Sequence, residues 1–305
     1  MSVTEGASLE GLRATTRAAT LAGCGALVLW AFLAPLSRLA QPLPSLLLTG
    51  LAFGLGGMLA LGLVAARGGR PAQRVLRALR QRPAAWVHGV AGLFGFHALY
   101  FAALALAPPV EANLLNYTWP LMIVLLSAPV LGLPLGARRL AGVGLGAGGA
   151  ALLMAGGGAA FHASAVLGFA AALGSAVIWA VYSVLAGTRR FAGVPTEAVA
   201  GFCLASAALS LVAHAAFEPA AGPIGATQWL AIALLGLGPM GAAFFLWDVG
   251  MKRGDPRLLG TLGYATPVAS TLLLAGFGLG ALTWQAGVAA ALVAGGGLLA
   301  ASAAR

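Results

Sequence analysis

The chain has 305 residues, of which 60% are hydrophobic and 8% charged, and its mean hydropathy is +0.95. A water-exposed surface is roughly 25–35% charged, so a soluble enzyme, a secreted domain and a disordered chain are excluded and a polytopic membrane protein remains. The net charge of +10, from 17 Lys+Arg against 7 Asp+Glu, marks either a nucleic-acid surface or a membrane topology, and its placement decides which.

A helix that crosses a bilayer needs about 20 apolar residues. In chain order, apolar runs bounded by arginines, proline or glycine predict spans near 18–38, 43–65, 84–106, 110–132, 139–159, 163–187, 196–217, 227–250, 257–278 and 283–304. Runs of this length suit helices, because a barrel strand is near ten residues and alternates. The polar, acidic start before Arg13 does not read as a cleaved signal peptide, so the first run is expected to be retained. Arg13 and Arg17 precede the first run, and six arginines from Arg67 to Arg82 follow the second. Arg138 and Arg139 follow the fourth, Arg189 and Arg190 the sixth, Lys252, Arg253 and Arg257 the eighth, and Arg305 ends the chain. Every basic residue but Arg38 therefore falls on one side of a ten-span chain. The positive-inside rule places that side and both termini in the cytoplasm, so the charge is topology and no nucleic-acid partner is expected. Within Pro71–Arg82, Val75, Leu76 and Leu79 sit at helical spacing among arginines. That segment reads either as an interfacial helix on anionic lipid or as an ordinary basic loop.

The chain repeats itself. Asn116-Tyr117-Thr118-Trp119-Pro120 and Gly263-Tyr264-Ala265-Thr266-Pro267 share Tyr and Pro at an offset of 147, and Pro109 falls on Pro256 and Tyr100 on Trp247. Leu29-Trp30-Ala31 resembles Ile178-Trp179-Ala180, and glycine runs close the fifth and tenth spans at Gly156–Gly158 and Gly295–Gly297. Five spans followed by five similar ones make an inverted repeat, because an odd count sends the second copy in from the opposite side. The expected fold is all-α, ten transmembrane helices as two inverted five-helix repeats, 1–160 and 161–305, around a central midplane cavity.

Several side chains could carry function. Pro120 and Pro267 each lie about ten residues into a span, where proline kinks the helix and frees the carbonyl four residues back. Trp86, Trp229 and Trp284 stand at span starts, where interfacial belts put them. Trp30, Trp119, Trp179, Trp247, Tyr100, Tyr117, Tyr182 and Tyr264 lie inside spans, where their N–H and O–H groups need partners. They would line a cavity for a flat, amphipathic substrate or simply pack helices together. Asn116 adds an amide able to hold a carboxylate or ammonium. His97 is the one ionisable group near mid-depth and is either functional or bonded to a neighbouring carbonyl, whereas Asp248 and Glu111 fall near span ends within reach of water. His88, His162 and His214 also lie near span ends and carry little signal. Gly142, Gly144, Gly146 and Gly148 give two faces for close helix approach. Gly236-Leu-Gly238-Pro-Met-Gly241 matches a dinucleotide fingerprint but lies inside an apolar span with Pro239, so it fails that test. Cys24 and Cys203 are lone thiols in apolar runs and offer neither a disulfide nor a metal site. No metal, cofactor or bond-making chemistry is expected, and the chain does not read as an enzyme.

These residues resemble the drug/metabolite transporter superfamily of the EamA type. The approach Pro108-Pro109-Val110-Glu111-Ala112-Asn113 carries that likeness, and the pentapeptide 116–120, with Phe96-His97 and Trp179, is most similar to the YddG-like aromatic amino acid exporters. Thr118 stands where a leucine is usual, and Phe96 where a tyrosine is expected beside His97. The resemblance implies export of aromatic and other bulky amino acids across the bacterial inner membrane by a monomer or weak homodimer. The substrate would be held by His97, Tyr100, Asn116, Tyr117, Trp119, Trp179, Tyr182, Trp247 and Tyr264. With no interior carboxylate, a facilitator or exchanger is expected. Proton-coupled efflux through His97, a lipid-modifying enzyme and a non-transport membrane subunit are the rival readings.

Overall fold

The computed structural model describes residues 3–66, 70–155, 163–278 and 282–302. Among these residues the regular structure is helical throughout, as hydrocarbon requires of a backbone that must bond within its own segment. The first half runs α1 Val3–Ala31, α2 Leu33–Leu39, α3 Ser45–Ala66, α4 Pro71–Leu79, α5 Pro83–Val90, α6 Phe96–Leu106, α7 Pro109–Asn116, α8 Trp119–Leu131 and α9 Ala137–Ala155. The second half runs α10 Val166–Ala186, α11 Ala198–Phe217, α12 Ala226–Leu237, α13 Ala243–Arg253, α14 Pro256–Gly263, α15 Ala265–Gly276 and α16 Trp284–Ser302. Nine stretches of the described residues are long and apolar enough to cross a membrane. α9, where the fifth span is expected, is not among the nine; it packs along α16. The glycine run 156–158, His162, Arg67 and the boundary at 160 lie outside the described residues.

The proposed offset of 147 recurs in the backbone. A π-turn at Ala91–Gly95 joins α5 to α6, and another at Gly238–Ala242 joins α12 to α13. The next span begins at Pro109 in one half and Pro256 in the other, and its first helix ends at Asn116 and Gly263, just ahead of Pro120 and Pro267. The halves interlock rather than stand apart. α1 packs on α13 and α10 on α6, while α3 pairs with α11, α8 with α14 and α9 with α16.

Glycine sets how closely these spans cross. A Cβ on Gly241 would fall on the Gly236 carbonyl oxygen, and one on Gly56 of α3 would lie 2.6 Å from the same atom. The apparent dinucleotide fingerprint is therefore the crossing of α3 over the second π-turn. On α9 only one of the two expected small faces is used. Gly142 meets Gly296 and Gly146 meets the Tyr264 ring, whereas nothing lies within 4 Å of a Cβ on Gly144 or Gly148. Large apolar side chains such as Leu63, Leu167 and Val212 point outward at 65%, 72% and 68% exposure, as a lipid-facing surface does.

Basic residues from separate loops meet at one end. Arg139 binds Asp255, Arg257 binds the Pro134 carbonyl, and Arg82 and Arg190 lie over the Phe191 ring. α4 forms within the basic loop, burying Ala78 and leaving Arg74 and Arg77 exposed.

Candidate functional site

The π-turns and the broken fourth span direct aromatic rings inward from both halves. Gly92 sits in the first π-turn, where a Cβ would collide with the Tyr182 ring. Only a residue without a side chain lets α10 approach there. A π-turn adds one residue to a helical turn and re-aims the residues beyond it, here Phe96 and His97 in one half and Phe244 and Trp247 in the other.

Four tryptophans form the centre. Trp30 lies edge-on to Trp179 at 5.3 Å and tilted to Trp247 at 5.1 Å. Trp179 and Trp247 stack at 6.0 Å, and Trp119 meets each of them edge-on. Such edge and offset contacts suit the ring quadrupole. Two of the indole N–H groups are satisfied locally: Trp30 Nε1 donates to the Pro239 carbonyl at 2.9 Å and Trp247 Nε1 to Ser183 Oγ at 3.0 Å. Trp119, Trp179 and Trp247 are buried, while Trp30, Phe96 and Tyr100 form a half-buried rim; Tyr117 is half-buried at the break between α7 and α8. Tyr100 stacks on Phe96 at 5.9 Å and donates its hydroxyl to Asn113 Oδ1 at 2.5 Å. Asn113, which carried no motif of its own, is thereby part of the rim.

The polar residues expected at the head group are engaged elsewhere. Asn116 is buried, and its Nδ2 donates to Ser175 Oγ at 2.7 Å, tying α7 to α10. His97 is buried with Nδ1 2.7 Å from the Leu93 carbonyl oxygen, and its ring meets Phe53 and Phe96 at 5.1 and 5.0 Å. Tyr264 is not brought to the cluster. It packs with Val143, Val268 and Val293 between α9, α15 and α16. Tyr182 lies against Trp179 at 5.3 Å on the side of the arginine-rich end. It continues as a column through His88 at 4.8 Å, which stacks in turn on Phe191 at 4.2 Å.

Burial corrects three further expectations. Trp229 and Trp284 are exposed at 51% and 67%, as interfacial residues should be, but Trp86 is half-buried against Phe202 of α11. Asp248 and Glu111 do not reach water and are 5% and 3% exposed. His214 binds Glu218 at 3.0 Å, and that carboxylate accepts the backbone N–H groups of Leu46 and Leu47, holding the start of α3.

Asp255 and Asp248 hold ion pairs at the arginine-rich end, Asp255 with both Arg139 and Arg257. Arg139 Nη2 lies 3.2 Å from Asp255 Oδ2, and Asp255 also caps α14 by accepting from the Arg257 and Leu258 backbones. Burial pushes the Asp255 carboxyl above its usual range, against which Arg139 pulls it down. Lys252 Nζ lies 2.7 Å from Asp248 Oδ1. Among the described residues no three His, Cys, Asp or Glu side chains group as a metal site, and Cys24 and Cys203 are free thiols.

The sequence pattern of the EamA-like transporter family matches residues 17–155 and again 166–302. A curated relative, the aromatic amino acid exporter YddG of Ancylobacter novellus, is 49% identical over 284 residues, 92% of this chain and 96% of its own length. A solved crystal structure, also 49% identical, matches with a TM-score of 0.87 over 94% of this chain and 99% of that one.

Proposed function

The chain belongs to the EamA-like transporter family, and from that premise we propose that it carries aromatic and other bulky amino acids out of the bacterial cytoplasm by alternating access. The observation that carries this reading is the buried cluster of Trp30, Trp119, Trp179 and Trp247 with its rim of Phe96 and Tyr100. Flat rings stack well on such a wall, and the rim adds the Tyr100 hydroxyl and the Asn113 amide for polar contact.

The two halves meet near residue 160 as an inverted repeat, with both termini and the arginine-rich end in the cytoplasm. The matched π-turns and broken spans serve as hinges, since each is a place where a helix can bend without losing its whole ladder of bonds. The ion pairs and loop contacts at the arginine-rich end would have to part for substrate to enter from that side. The working unit is a monomer or weak homodimer in the inner membrane. Proton coupling through His97 is not favoured, because its ring is enclosed by Phe53, Phe96 and Phe244 and its Nδ1 is bonded to Leu93.

The test is flux of labelled tryptophan into proteoliposomes. Saturable uptake that phenylalanine competes for, absent from protein-free vesicles, is the expected result, and no difference from protein-free vesicles would refute the reading. Topology has its own check. In intact cells a cysteine replacing Gln81 should stay unlabelled by an impermeant thiol reagent while one replacing Gly222 reacts, and equal labelling of both would overturn the ten-span orientation.

A further inference from the structure

An amino acid cargo carries two opposite charges on one carbon, and the midplane groups first suited to them, Asn116 and His97, are bonded to Ser175 and Leu93. Toward the arginine-rich end stands a pair that carries both charges. Asp248 and Lys252 lie one turn apart on α13, their side chains 7% and 8% exposed. Asp248 Oδ2 accepts from Thr196 Oγ1 at 2.7 Å, and Lys252 Nζ donates to the Val194 carbonyl at 2.8 Å. Val194 and Thr196 belong to the segment that covers this end between α10 and α11. The column of Tyr182, His88 and Phe191 starts from α10, which packs on α13. At the repeat-related positions of α6 stand Phe101 and Ala105, so the pair is not something the shared fold requires.

We propose that Asp248 and Lys252 form a head-group site for substrate approaching from the arginine-rich end, separate from the tryptophan cluster; this rests on the amino acid reading above. The substrate carboxylate replaces Asp248 at Lys252, its ammonium replaces Lys252 at Asp248, and its ring lies along Tyr182, His88 and Phe191. Leaving either buried charge without a partner is costly, so the pair does not open on its own. A zwitterion supplies both partners at once and keeps the site neutral, whereas a lone cation or anion supplies one and strands the other. Because Lys252 and Asp248 also hold Val194 and Thr196, the exchange loosens the segment over that end. The site thereby couples recognition of a zwitterion to opening.

The test is competition against exchange of labelled tryptophan in proteoliposomes, with tryptophan, tryptamine and indole-3-propionate as competitors. Wild type should prefer tryptophan to either analogue. Asp248→Asn should cut the disadvantage of indole-3-propionate about tenfold, the worth of one charge-assisted hydrogen bond, and leave that of tryptamine. Lys252→Gln should do the reverse. A pair that merely braces the fold would move both ratios together or neither, and that result would overturn the site. If the single variants fail to fold, the double variant Asp248→Asn with Lys252→Gln strands no charge and should lose the preference for tryptophan over both analogues, and retention of that preference in a folded, exchanging protein would refute the proposal. A wild type that exchanges no tryptophan would instead overturn the substrate reading on which the site rests.

Discussion

Residues 91–120 and 238–267 bend at the same places, yet at the shared offset His97 answers to Phe244, Tyr100 to Trp247, Asn113 to Gly260, Asn116 to Gly263 and Trp119 to Thr266. The first copy carries the polar rim. The second carries Trp247 of the tryptophan cluster in the place of Tyr100, and adds Asp248 and Lys252 where the first has Phe101 and Ala105. The repeat supplies paired hinges, and the departures from it supply the chemistry. A substrate with a ring at one end and charges at the other has no two-fold symmetry, so its site gains nothing from matched walls.

The two halves are most sensitive where backbone meets backbone. Gly241→Val should destabilise the protein by roughly 1–3 kcal/mol or more, since its side chain would fall on the Gly236 carbonyl. Gly144→Val, facing open space, should stay within about 0.5 kcal/mol. Thermal midpoints in detergent measure the difference, and equal midpoints would contradict the close crossing.

The next effect is on transport. Trp179→Ala should lower tryptophan flux at least roughly tenfold through lost stacking and a cavity of the kind that costs about 3–5 kcal/mol. Trp284→Ala, at an exposed interfacial position, should leave flux within about twofold. Flux per folded protein separates the two, and equal losses would show that depth in the membrane has no bearing on the site. Smaller still, Tyr100→Phe deletes the bond to Asn113, worth about 1 kcal/mol, and should raise KM for tryptophan roughly fivefold. Tyr264→Phe, in the separate cluster under α9, should leave KM unchanged.

Span positions were legible because apolar runs and alternating arginines record the bilayer directly. Most observed ends lie within a few residues of the expected ones, as with 84–106 against Pro83–Leu106. The π-turns were not legible, since one added residue in a turn leaves hydropathy unchanged. The signals that could have found them are Gly92 and the Gly236–Gly241 motif at related positions. Tyr117 and Tyr264 look alike in sequence, and nothing in the sequence shows that Tyr264 seats in the slot at Gly146. Asn116 reads as a free amide until α10 brings Ser175 beside it. Asp248 reads as near water because Lys252 and Arg253 follow it, whereas the segment holding Val194 and Thr196 covers it. Sequence reports depth well and long-range partners poorly.

In the transport cycle proposed for this protein, substrate runs down its own gradient through a hinged aromatic core. Among the described residues the buried carboxylates Asp248 and Glu111 overturn the expectation of a span interior without acids, but Asp248 is ion-paired with Lys252, Glu111 has a partner of its own, and His97 is enclosed by rings. The decisive measurement tracks tryptophan in proteoliposomes with no ion gradient, with an imposed pH gradient and with an imposed sodium gradient. Flux to equilibrium and exchange against preloaded substrate are expected in all three, with the same end point. Accumulation above equilibrium that requires either gradient would contradict downhill transport.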